Sequence, residues 1–137
     1  MDRKQRVLIL CTGNSARSQM AEGLLRQMAG ERFDVFSAGT MPKGMHPLTV
    51  IAMKEIGIDV TGQRSKDVKE YEGQSFDYVI TVCDRAKQQC PVFPGATPLH
   101  WGFEDPAEAP PERQAKTFNT VRDEIKRRLH LFLLTQK

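Results

Sequence analysis

The sequence predicts an α/β fold, a single three-layer domain whose four-stranded parallel sheet is covered by helices on both faces. Three observations lead to this prediction. Residues 7–10 form a short, uninterrupted apolar run, which is typical of a strand buried on both faces. Strand-like and helix-like patterns then alternate along the chain, which indicates β–α–β crossovers. The length of 137 residues suits one domain, and no repeat or linker divides residues 1–137.

The first half of the chain holds two helices and the second strand. Apolar residues recur at helical spacing over 20–28, and the pattern stops at Gly30. Residues 33–37 are rich in strand-forming side chains and run into an Ala-Gly turn. A second helix is predicted over 47–56, with proline in its first turn and Gly57 after its end. Its predicted core-facing residues are Val50, Ile51, Met53 and Ile56.

The second half holds two further strands and the last helix. A third strand is predicted over 76–82 and a short fourth strand over 99–103. Residues 90–111 are rich in proline and glycine, which predicts a long loop of the kind that carries function in α/β domains. The last helix begins after Pro110 and Pro111. Its predicted buried face comprises Ala115, Phe118, Val121, Ile125, Leu129 and Phe132.

Charge and hydropathy exclude several classes of protein. Lys and Arg number 20 against 17 Asp and Glu, and the net charge of +3 comes from the basic stretch 111–137. A solvated face of the last helix explains that stretch better than a nucleic-acid groove does. No apolar run approaches the roughly 20 residues of a membrane span, and the N terminus lacks a signal-peptide core. We therefore expect a cytoplasmic protein with no nucleic-acid or membrane partner.

The three cysteines, Cys11, Cys83 and Cys90, cannot all pair, and a reducing cytoplasm would keep them as thiols. Six residues separate the last two, which is wider than the spacing of a zinc knuckle, and no fourth ligand stands nearby. We therefore predict no metal and no other cofactor. The cysteines are either buried bystanders or the site of the chemistry.

The segment Cys-Thr-Gly-Asn-Ser-Ala-Arg-Ser, residues 11–18, joins the first strand to the first helix. Such a loop directs consecutive N–H groups at one point, where the helix dipole adds positive charge. Arg17 can place two hydrogen bonds on a tetrahedral oxyanion, and Cys11 at the base of the loop is expected to ionise readily. The alternative, a small buried cysteine at the end of a strand, does not account for this context. The predicted oxyanion-binding residues are Thr12, Gly13, Asn14, Ser15, Ala16, Arg17 and Ser18.

Two details of the loop bear on its chemistry. Gly13 and Asn14 are residue types that tolerate the unusual backbone angles of an anion-binding nest. The Ser18 hydroxyl is expected either to donate to the Cys11 sulfur or to cap the helix. The loop alone does not distinguish an enzyme that hydrolyses an oxyanion ester from one that reduces an oxyanion, since phosphate and arsenate have the same shape and charge.

The later cysteines and one acid add further candidates. Cys83 ends the third predicted strand, so it should lie at the same edge of the parallel sheet as Cys11. Cys90 follows after a polar stretch long enough for one or two helical turns, which we expect to be mobile. Three such thiols suit a disulfide relay, although two unrelated late thiols are the alternative. Asp105 is the candidate acid for a departing oxygen, and Glu104 is weaker by position.

Several segments together resemble the thioredoxin-coupled arsenate reductases, which have the low-molecular-weight tyrosine phosphatase fold. They are CTGNSARSQMAEG at 11–23, SAG at 37–39, T-x-C at 81–83, the spacing of Cys83 and Cys90 before Pro91, and HWGFEDPA at 100–107. The resemblance extends from Val7 into the last helix. Its most specific element is the pair of late cysteines, which the phosphatases of this fold lack. Those phosphatases also have tyrosine after Asp-Pro, where Ala107 stands here.

The resemblance implies a reaction of three thiols. Cys11 attacks arsenate, which the loop amides and Arg17 hold, and Asp105 assists the departure of water. Cys83 then attacks Cys11 and releases arsenite. Cys90 moves the disulfide to Cys83–Cys90, where thioredoxin reduces it. Phosphate is expected to compete with arsenate, and the protein is expected to act as a monomer.

Some relatives of this type bind a potassium ion beside the loop, through residues matching Asn14, Glu22 and Ser37 and through an aspartate. The position of that aspartate is Lys66 here, with Asp67 next to it. A lysine ammonium can supply the charge of the ion, and we predict no metal.

Two other functions stay open. A low-molecular-weight phosphotyrosine phosphatase would need Cys11 but neither Cys83 nor Cys90, and an anion-binding module would need no reactive thiol. Hydrolysis of activated aryl phosphates is expected of either enzyme, since both share the loop and the acid. The reductant is thioredoxin, or else a glutaredoxin, glutathione or mycothiol system.

Overall fold

The computed structural model describes residues 3–135 and contains one sheet of four parallel strands. The strands are β1 (Gln5–Cys11), β2 (Phe33–Gly39), β3 (Tyr78–Thr81) and β4 (Thr97–His100). The helices are α1 (Arg17–Ala29), α2 (Pro47–Lys54), α3 (Asp84–Gln89) and α4 (Pro111–Thr135), with short 3₁₀ turns at Val68–Tyr71 and Pro106–Glu108. The strands lie in the order β2-β1-β3-β4, which confirms the predicted parallel sheet.

Helical segments cover both faces of the sheet. Phe33 and Phe36 lie three positions apart on β2, so their side chains point to opposite faces. The ring of Phe33 lies 5.8 Å from the ring of Phe132 on α4. The ring of Phe36 lies 5.6 Å from that of Tyr71 in the first 3₁₀ turn. The predicted three-layer architecture is therefore confirmed.

The long helix α4 buries one face along most of its length. The residues that confirm the predicted face are Phe118, Val121, Ile125, Leu129 and Phe132. The prediction is wrong for Ala115, which is exposed. The neighbouring residue, Gln114, reaches the second 3₁₀ turn, where its Nε2 donates to the Ala107 carbonyl at 2.8 Å. Within residues 3–135, neither α4 nor any other helix has the length and apolar character of a membrane-spanning segment.

The predicted core face of α2 is confirmed for Met53, which is buried, and for Val50 and Ile56, which pack partly buried against the core, but it is wrong for Ile51. Ile51 is 53% exposed, whereas Thr49 and Met53 are buried. Thr49 turns inward because its hydroxyl donates to the carbonyl oxygen of Ser15 at 2.7 Å, which couples α2 to the loop after β1. Gly57 follows the end of the helix with a φ of +80°, which fits its predicted role.

The strand prediction needs correction at the second half of the sheet. The fourth strand, predicted over 99–103, begins two residues earlier, so the loop expected over 90–111 contains a strand. Pro98 lies within β4 and pairs with Val79 of β3. An edge strand tolerates proline, because its outer N–H groups need no partner in the sheet. β3 occupies only the middle of the predicted stretch 76–82.

The carboxyl ends of the strands meet at one edge, where candidate residues collect. Cys11 ends β1 opposite Gly39 of β2, and Cys83 follows β3. The sheet grows from β1 toward β2 on one side and toward β3 on the other, which makes the crevice between β1 and β3 a topological switch point. Open α/β sheets bind their ligands in such crevices.

The packing of α4 against the sheet leads to a first prediction. Phe132 is 4% exposed, and its ring contacts those of Phe33, Tyr78 and Trp101. Phe132→Ala should leave a cavity there and lower the free energy of unfolding by about 3–5 kcal/mol, measured by urea unfolding followed by circular dichroism. Leu134→Ala, at a residue 66% exposed on the same helix, is the control and should change it by less than about 0.5 kcal/mol. Equal losses in both variants would contradict this packing.

Candidate active site

The loop after β1 can direct its N–H groups to one point because its carbonyl groups form hydrogen bonds on the side that faces away from that point. The carbonyl oxygens of Thr12, Gly13 and Ser15 accept hydrogen bonds from backbone N–H groups of residues 41–46, at 2.9, 2.8 and 3.1 Å. Since the carbonyls point away, the amides are left to face the cleft in front of Cys11. This is the arrangement of a backbone anion nest.

Cys11 lies at the base of this loop and is 2% exposed. Its Sγ accepts a hydrogen bond from the Asn14 N–H at 3.2 Å and lies 2.8 Å from Ser18 Oγ. Asn14 adopts the left-handed conformation, with a φ of 47°, whereas Gly13 does not have a positive φ. The sequence-based alternatives for Ser18 are thereby resolved: its hydroxyl contacts the sulfur, and α1 has no side-chain cap at Ala16.

The side chain of Asn14 is completely buried and joins three segments beneath the loop. Its Nδ2 donates to Ser18 Oγ at 2.8 Å and to Ser37 Oγ at 3.0 Å. Its Oδ1 accepts from the N–H of Lys66 at 2.8 Å and from Gln19 Nε2 at 3.1 Å. These four bonds fix one orientation of the amide. Because Ser18 Oγ already accepts from Asn14, its own hydrogen is available for the neighbouring sulfur.

The end of β2 approaches the loop so closely that only glycine fits at residue 39. A Cβ on Gly39 would lie 2.5 Å from the carbonyl oxygen of Thr12 and 3.0 Å from the backbone nitrogen of Asn14. Both are backbone atoms, so neither can move aside without distorting the loop. The glycine of the SAG segment thus permits the contact between β2 and the anion nest.

A cleft of about 360 Å³ opens in front of Cys11. Arg17, the first residue of α1, donates from Nη1 to the carbonyl oxygen of Phe103 at 3.0 Å. Its Nη2 lies 3.7 Å from Oδ2 of Asp105. Asp105 is held in turn by the N–H of Ala107, which donates to Oδ1 at 3.0 Å. The guanidinium and the candidate acid therefore share one rim of the cleft with the loop.

The structure divides the predicted oxyanion-binding residues into two groups. Those that line the cleft are Thr12, Gly13, Ser15, Ala16 and Arg17. Asn14 and Ser18 are fully buried beneath the loop, where they contact Cys11 instead. Asp105 lines the cleft, whereas Glu104 is exposed and does not, so the preference for Asp105 agrees with its position.

Sequence patterns did not point to the other wall of the cleft, which residues 43–47 form. The Lys43 side chain lies against Gly13, and the Lys43 N–H donates to the Gly13 carbonyl. His46 precedes α2, and its Nδ1 accepts from the N–H of Leu48 at 3.0 Å. No local motif marks these residues, because they reach the cleft only through contacts with a loop distant in sequence.

Cys83 and Cys90 lie at opposite ends of α3. The Sγ of Cys83 is buried 3.2 Å from Thr12 Oγ1, which places this thiol beside the loop that carries Cys11. Cys90 is half-buried, and its thiol donates to the Pro91 carbonyl at 3.2 Å. Burial raises the pKa of the Cys90 thiol. The segment expected to be mobile is a helix in this state.

Helix α3 holds the two late cysteines apart. Seven steps at a helical rise of 1.5 Å separate their Cα atoms by roughly 10 Å, whereas a disulfide needs about 4.4–6.8 Å. The first turn of α3 is tied to the sheet through His100, whose Nε2 lies 2.9 Å from Asp84 Oδ1 and whose Nδ1 lies 2.8 Å from Thr81 Oγ1. Cys83 and Cys90 can therefore pair only if part of α3 unwinds.

The residues that match a potassium site in related sequences do not fit a metal ion here. Lys66 is 7% exposed, and its Nζ donates to the Arg64 carbonyl at 2.7 Å and lies 3.9 Å from Oε1 of Glu22. An ammonium group has no lone pair to offer a metal and repels a cation placed beside the same carboxylate. Asp67 does not replace it, because its carboxylate accepts from the Lys69 N–H at 2.9 Å and caps the first 3₁₀ turn.

Comparisons with known proteins match nearly the whole chain. The family model "Low molecular weight phosphotyrosine protein phosphatase" matches residues 6–137. An arsenate reductase of Halalkalibacterium halodurans is 44% identical over 137 residues, which cover 98% of this chain and 99% of the relative. A solved arsenate reductase in the phosphate binding state is 30% identical, with a TM-score of 0.78 and coverage of 97% and 99%. A thioredoxin-dependent arsenate reductase of Corynebacterium glutamicum is 29% identical, with a TM-score of 0.74, and the match covers 98% of this chain and 65% of that one.

The close approach at Gly39 makes a second prediction. Gly39→Ala should push the loop out of its anion-binding shape, weaken phosphate binding at least tenfold and cost about 1–3 kcal/mol of stability. Calorimetric titration with phosphate and urea unfolding measure the two effects. Gly62→Ala is the matched control, since a Cβ there meets nothing within 4 Å. Unchanged phosphate affinity in Gly39→Ala would show that the loop does not depend on this contact.

Burial of Cys90 makes a third prediction. Because its folded-state pKa is raised, the unfolded chain loses this proton first, so the free energy of unfolding falls as pH rises through the folded-state pKa. In a Cys11→Ser/Cys83→Ser protein at about pH 8.5, iodoacetamide should react more slowly with the folded state than with the urea-unfolded chain. Titration of both rates against pH checks the direction. Equal rates at every pH would mean that the Cys90 thiol is not shielded.

Proposed function

The chain belongs to the low molecular weight phosphotyrosine protein phosphatase family and, within it, to the arsenate reductases, and from this premise we propose that it reduces arsenate to arsenite with Cys11, Cys83 and Cys90. The observation that carries the proposal is the second thiol, Cys83, whose Sγ lies 3.2 Å from Thr12 Oγ1 in the anion-binding loop. Hydrolysis of an ester needs one thiol at this loop. A disulfide needs two.

The first step binds arsenate and makes a covalent adduct. The loop amides and Arg17 hold the anion and offset its charge. The Cys11 sulfur, with the Ser18 hydroxyl bonded to it, attacks arsenic. One arsenate oxygen leaves as water after it takes a proton from Asp105, which shares the rim with Arg17. The product is a Cys11–arsenic(V) bond.

The second step carries the redox change. Cys83 attacks the sulfur of Cys11, so that an S–S bond forms and the S–As bond breaks. The electron pair of the broken bond stays on arsenic, which is reduced from As(V) to As(III) and leaves as arsenite. The two thiols are oxidised to the Cys11–Cys83 disulfide. Thr12, bonded to Cys83 at 3.2 Å, directs the attacking sulfur toward the loop.

The third step moves the disulfide away from the anion-binding loop. Cys90 attacks Cys83 and releases the Cys11 thiol, and α3 must unwind to bring the two sulfurs together. The dithiol of thioredoxin then reduces the Cys83–Cys90 disulfide and is itself oxidised. The complete reaction consumes arsenate and one dithiol and yields arsenite, water and one disulfide.

The partners follow from the same proposal. Thioredoxin is the reductant to test first, because the Corynebacterium glutamicum protein is described as thioredoxin-dependent. Phosphate should compete with arsenate for the loop, since the two anions share shape and charge. We place the reaction in the cytoplasm, where thiols are kept reduced, and expect the protein to act as a monomer.

Hydrolysis of phosphate monoesters is the second candidate function, favoured by the Arg17–Asp105 pair at the rim of the cleft. In that reaction Cys11 takes the phosphoryl group, Asp105 protonates the leaving oxygen, and water hydrolyses the thiophosphate. Neither Cys83 nor Cys90 takes part. The late cysteines therefore separate the two activities.

The test follows NADPH consumption by the purified protein with thioredoxin, thioredoxin reductase and arsenate. The unaltered protein should turn over many times. Cys90→Ser should release at most about one arsenite per protein, because the Cys11–Cys83 disulfide cannot be passed on. Cys83→Ser should release none, since the step that reduces arsenic is lost.

Hydrolysis of p-nitrophenyl phosphate by the same two variants is the control, and it should stay within about threefold of the unaltered protein, because the loop and acid are intact. If arsenate causes no NADPH consumption while p-nitrophenyl phosphate is still hydrolysed, the thioredoxin-coupled reaction is contradicted. Phosphate-ester hydrolysis would then be the better supported function, and a glutaredoxin, glutathione or mycothiol system would be the remaining reductants to test.

A further inference from the structure

Lys66 is a buried cation that takes no part in the proposed reaction. Its ammonium group lies between the Arg64 carbonyl oxygen at 2.7 Å and the Glu22 carboxylate at 3.9 Å. The other charged groups facing it are Arg26, Arg64 and Glu70. Burial lowers the pKa of Lys66, with the nearby Glu22 acting in the opposite direction. A charge is held in the interior at such a cost only where a partner offsets it.

Glu22 connects this cation to the anion-binding loop. Its carboxylate is buried and accepts from Ser37 Oγ at 2.5 Å and from Arg26 Nη2 at 2.7 Å. Because the single hydrogen of Ser37 is used on Glu22, Ser37 Oγ can only accept from Asn14 Nδ2. The second Nδ2 hydrogen of Asn14 goes to Ser18.

The chain of hydrogen bonds therefore has one direction. It runs from Asn14 to Ser37 and on to Glu22 on one side, and from Asn14 to Ser18 and on to Cys11 on the other. The Ser18 oxygen accepts from Asn14, so its single hydrogen is free to donate to the Cys11 sulfur at 2.8 Å. A buried carboxylate at the far end keeps this direction only while its negative charge is balanced.

We propose that the Lys66 ammonium is a built-in cation, a positioning residue that balances Glu22 and so holds the Asn14–Ser18 pair in the orientation that supports Cys11. The inference rests on the proposed role of Cys11 as nucleophile. Arg26, the other cation at Glu22, is half-exposed and bonds to the opposite carboxylate oxygen, so it does not replace Lys66 at Oε1.

The proposal predicts that removal of the ammonium creates a need for an external cation. Truncation at residue 66 would leave a space lined by the Arg64 carbonyl oxygen and the Glu22 carboxylate, the two groups that now contact the ammonium, and both are oxygen ligands that can bind a monovalent cation. Lys66→Ala provides that space. Lys66→Met removes the charge but fills the space, so a cation cannot replace the ammonium there.

The experiment measures two quantities in potassium chloride and in choline chloride at equal ionic strength. One is kcat and KM for arsenate reduction. The other is the rate of iodoacetamide reaction with Cys11 in a Cys83→Ser/Cys90→Ser background, which does not need arsenate reduction and so separates failure of this inference from failure of the proposed function. The unaltered protein should be indifferent to the choice of salt.

In choline chloride, Lys66→Ala and Lys66→Met should lose about tenfold in kcat and in the Cys11 reaction rate, as is typical when a supporting partner behind a reactive group is removed. Potassium chloride should restore Lys66→Ala but not Lys66→Met. Lys66→Arg, which keeps the charge, should stay near the unaltered protein, and so should Lys69→Ala, a control that removes an exposed lysine of the same segment.

Three outcomes would overturn the inference. One is stimulation of the unaltered protein by potassium over choline, which needs no variant to fold. Another is an unimpaired Lys66→Met, which would show that the charge is not used. The last is failure of potassium, sodium and ammonium ions alike to restore Lys66→Ala while its circular dichroism spectrum is native, which would reduce Lys66 to a packing role.

Discussion

The anion-binding loop depends on one constraint: its carbonyl groups must be bonded on the outside before its amides can face inward. Residues 41–46 supply the backbone donors that bind those carbonyls. Gly39 lets β2 come close enough, and Asn14 adopts the left-handed conformation that turns its N–H toward Cys11. The nest is therefore assembled by three segments that are far apart in sequence, and its chemistry is available only after they have packed together.

Beneath the loop, buried polar groups that hydrogen-bond to one another take the place of an apolar core. Every hydrogen-bonding group of the Asn14 side chain has a partner, and those partners belong to α1, β2 and the segment at Lys66. Buried polar networks give specificity when they are fully bonded and destabilise the fold when they are not. The orientation of Ser18 toward the sulfur is thus a consequence of packing at a distance from the cleft.

Helix α3 introduces an opposing requirement. While it is folded it keeps Cys83 beside Thr12 and Cys90 half-buried, so the two thiols stay apart. A disulfide between those cysteines is incompatible with the same helix. A helix of six residues has little stability of its own, so its unwinding costs little free energy. The contact of His100 with Asp84 holds the first turn, which leaves the Cys90 end as the part free to move.

The sequence by itself determined the parallel α/β fold, the strand–loop–helix unit at residues 11–18 and the meeting of Cys11 with Cys83 at one sheet edge. These follow from hydrophobic periodicity and from the direction of parallel strands, which are local or topological properties. It did not determine that Ile51 and Ala115 are exposed or that Pro98 lies within a strand, because each depends on which neighbour covers that position.

Only the tertiary structure decided the rest of the site. The wall of the cleft at residues 43–47 leaves no periodic pattern in the chain. The contact of His100 with Asp84, which ties α3 to the sheet, and the hydrogen bond from Lys66 to the Arg64 carbonyl leave none either. Hydrophobic burial, which sets the fold, depends on the spacing of apolar residues and can be inferred from sequence. The direction of a hydrogen bond or the partner of a buried charge depends on atoms brought within about 3–4 Å by segments remote in sequence, and only the folded chain specifies those distances.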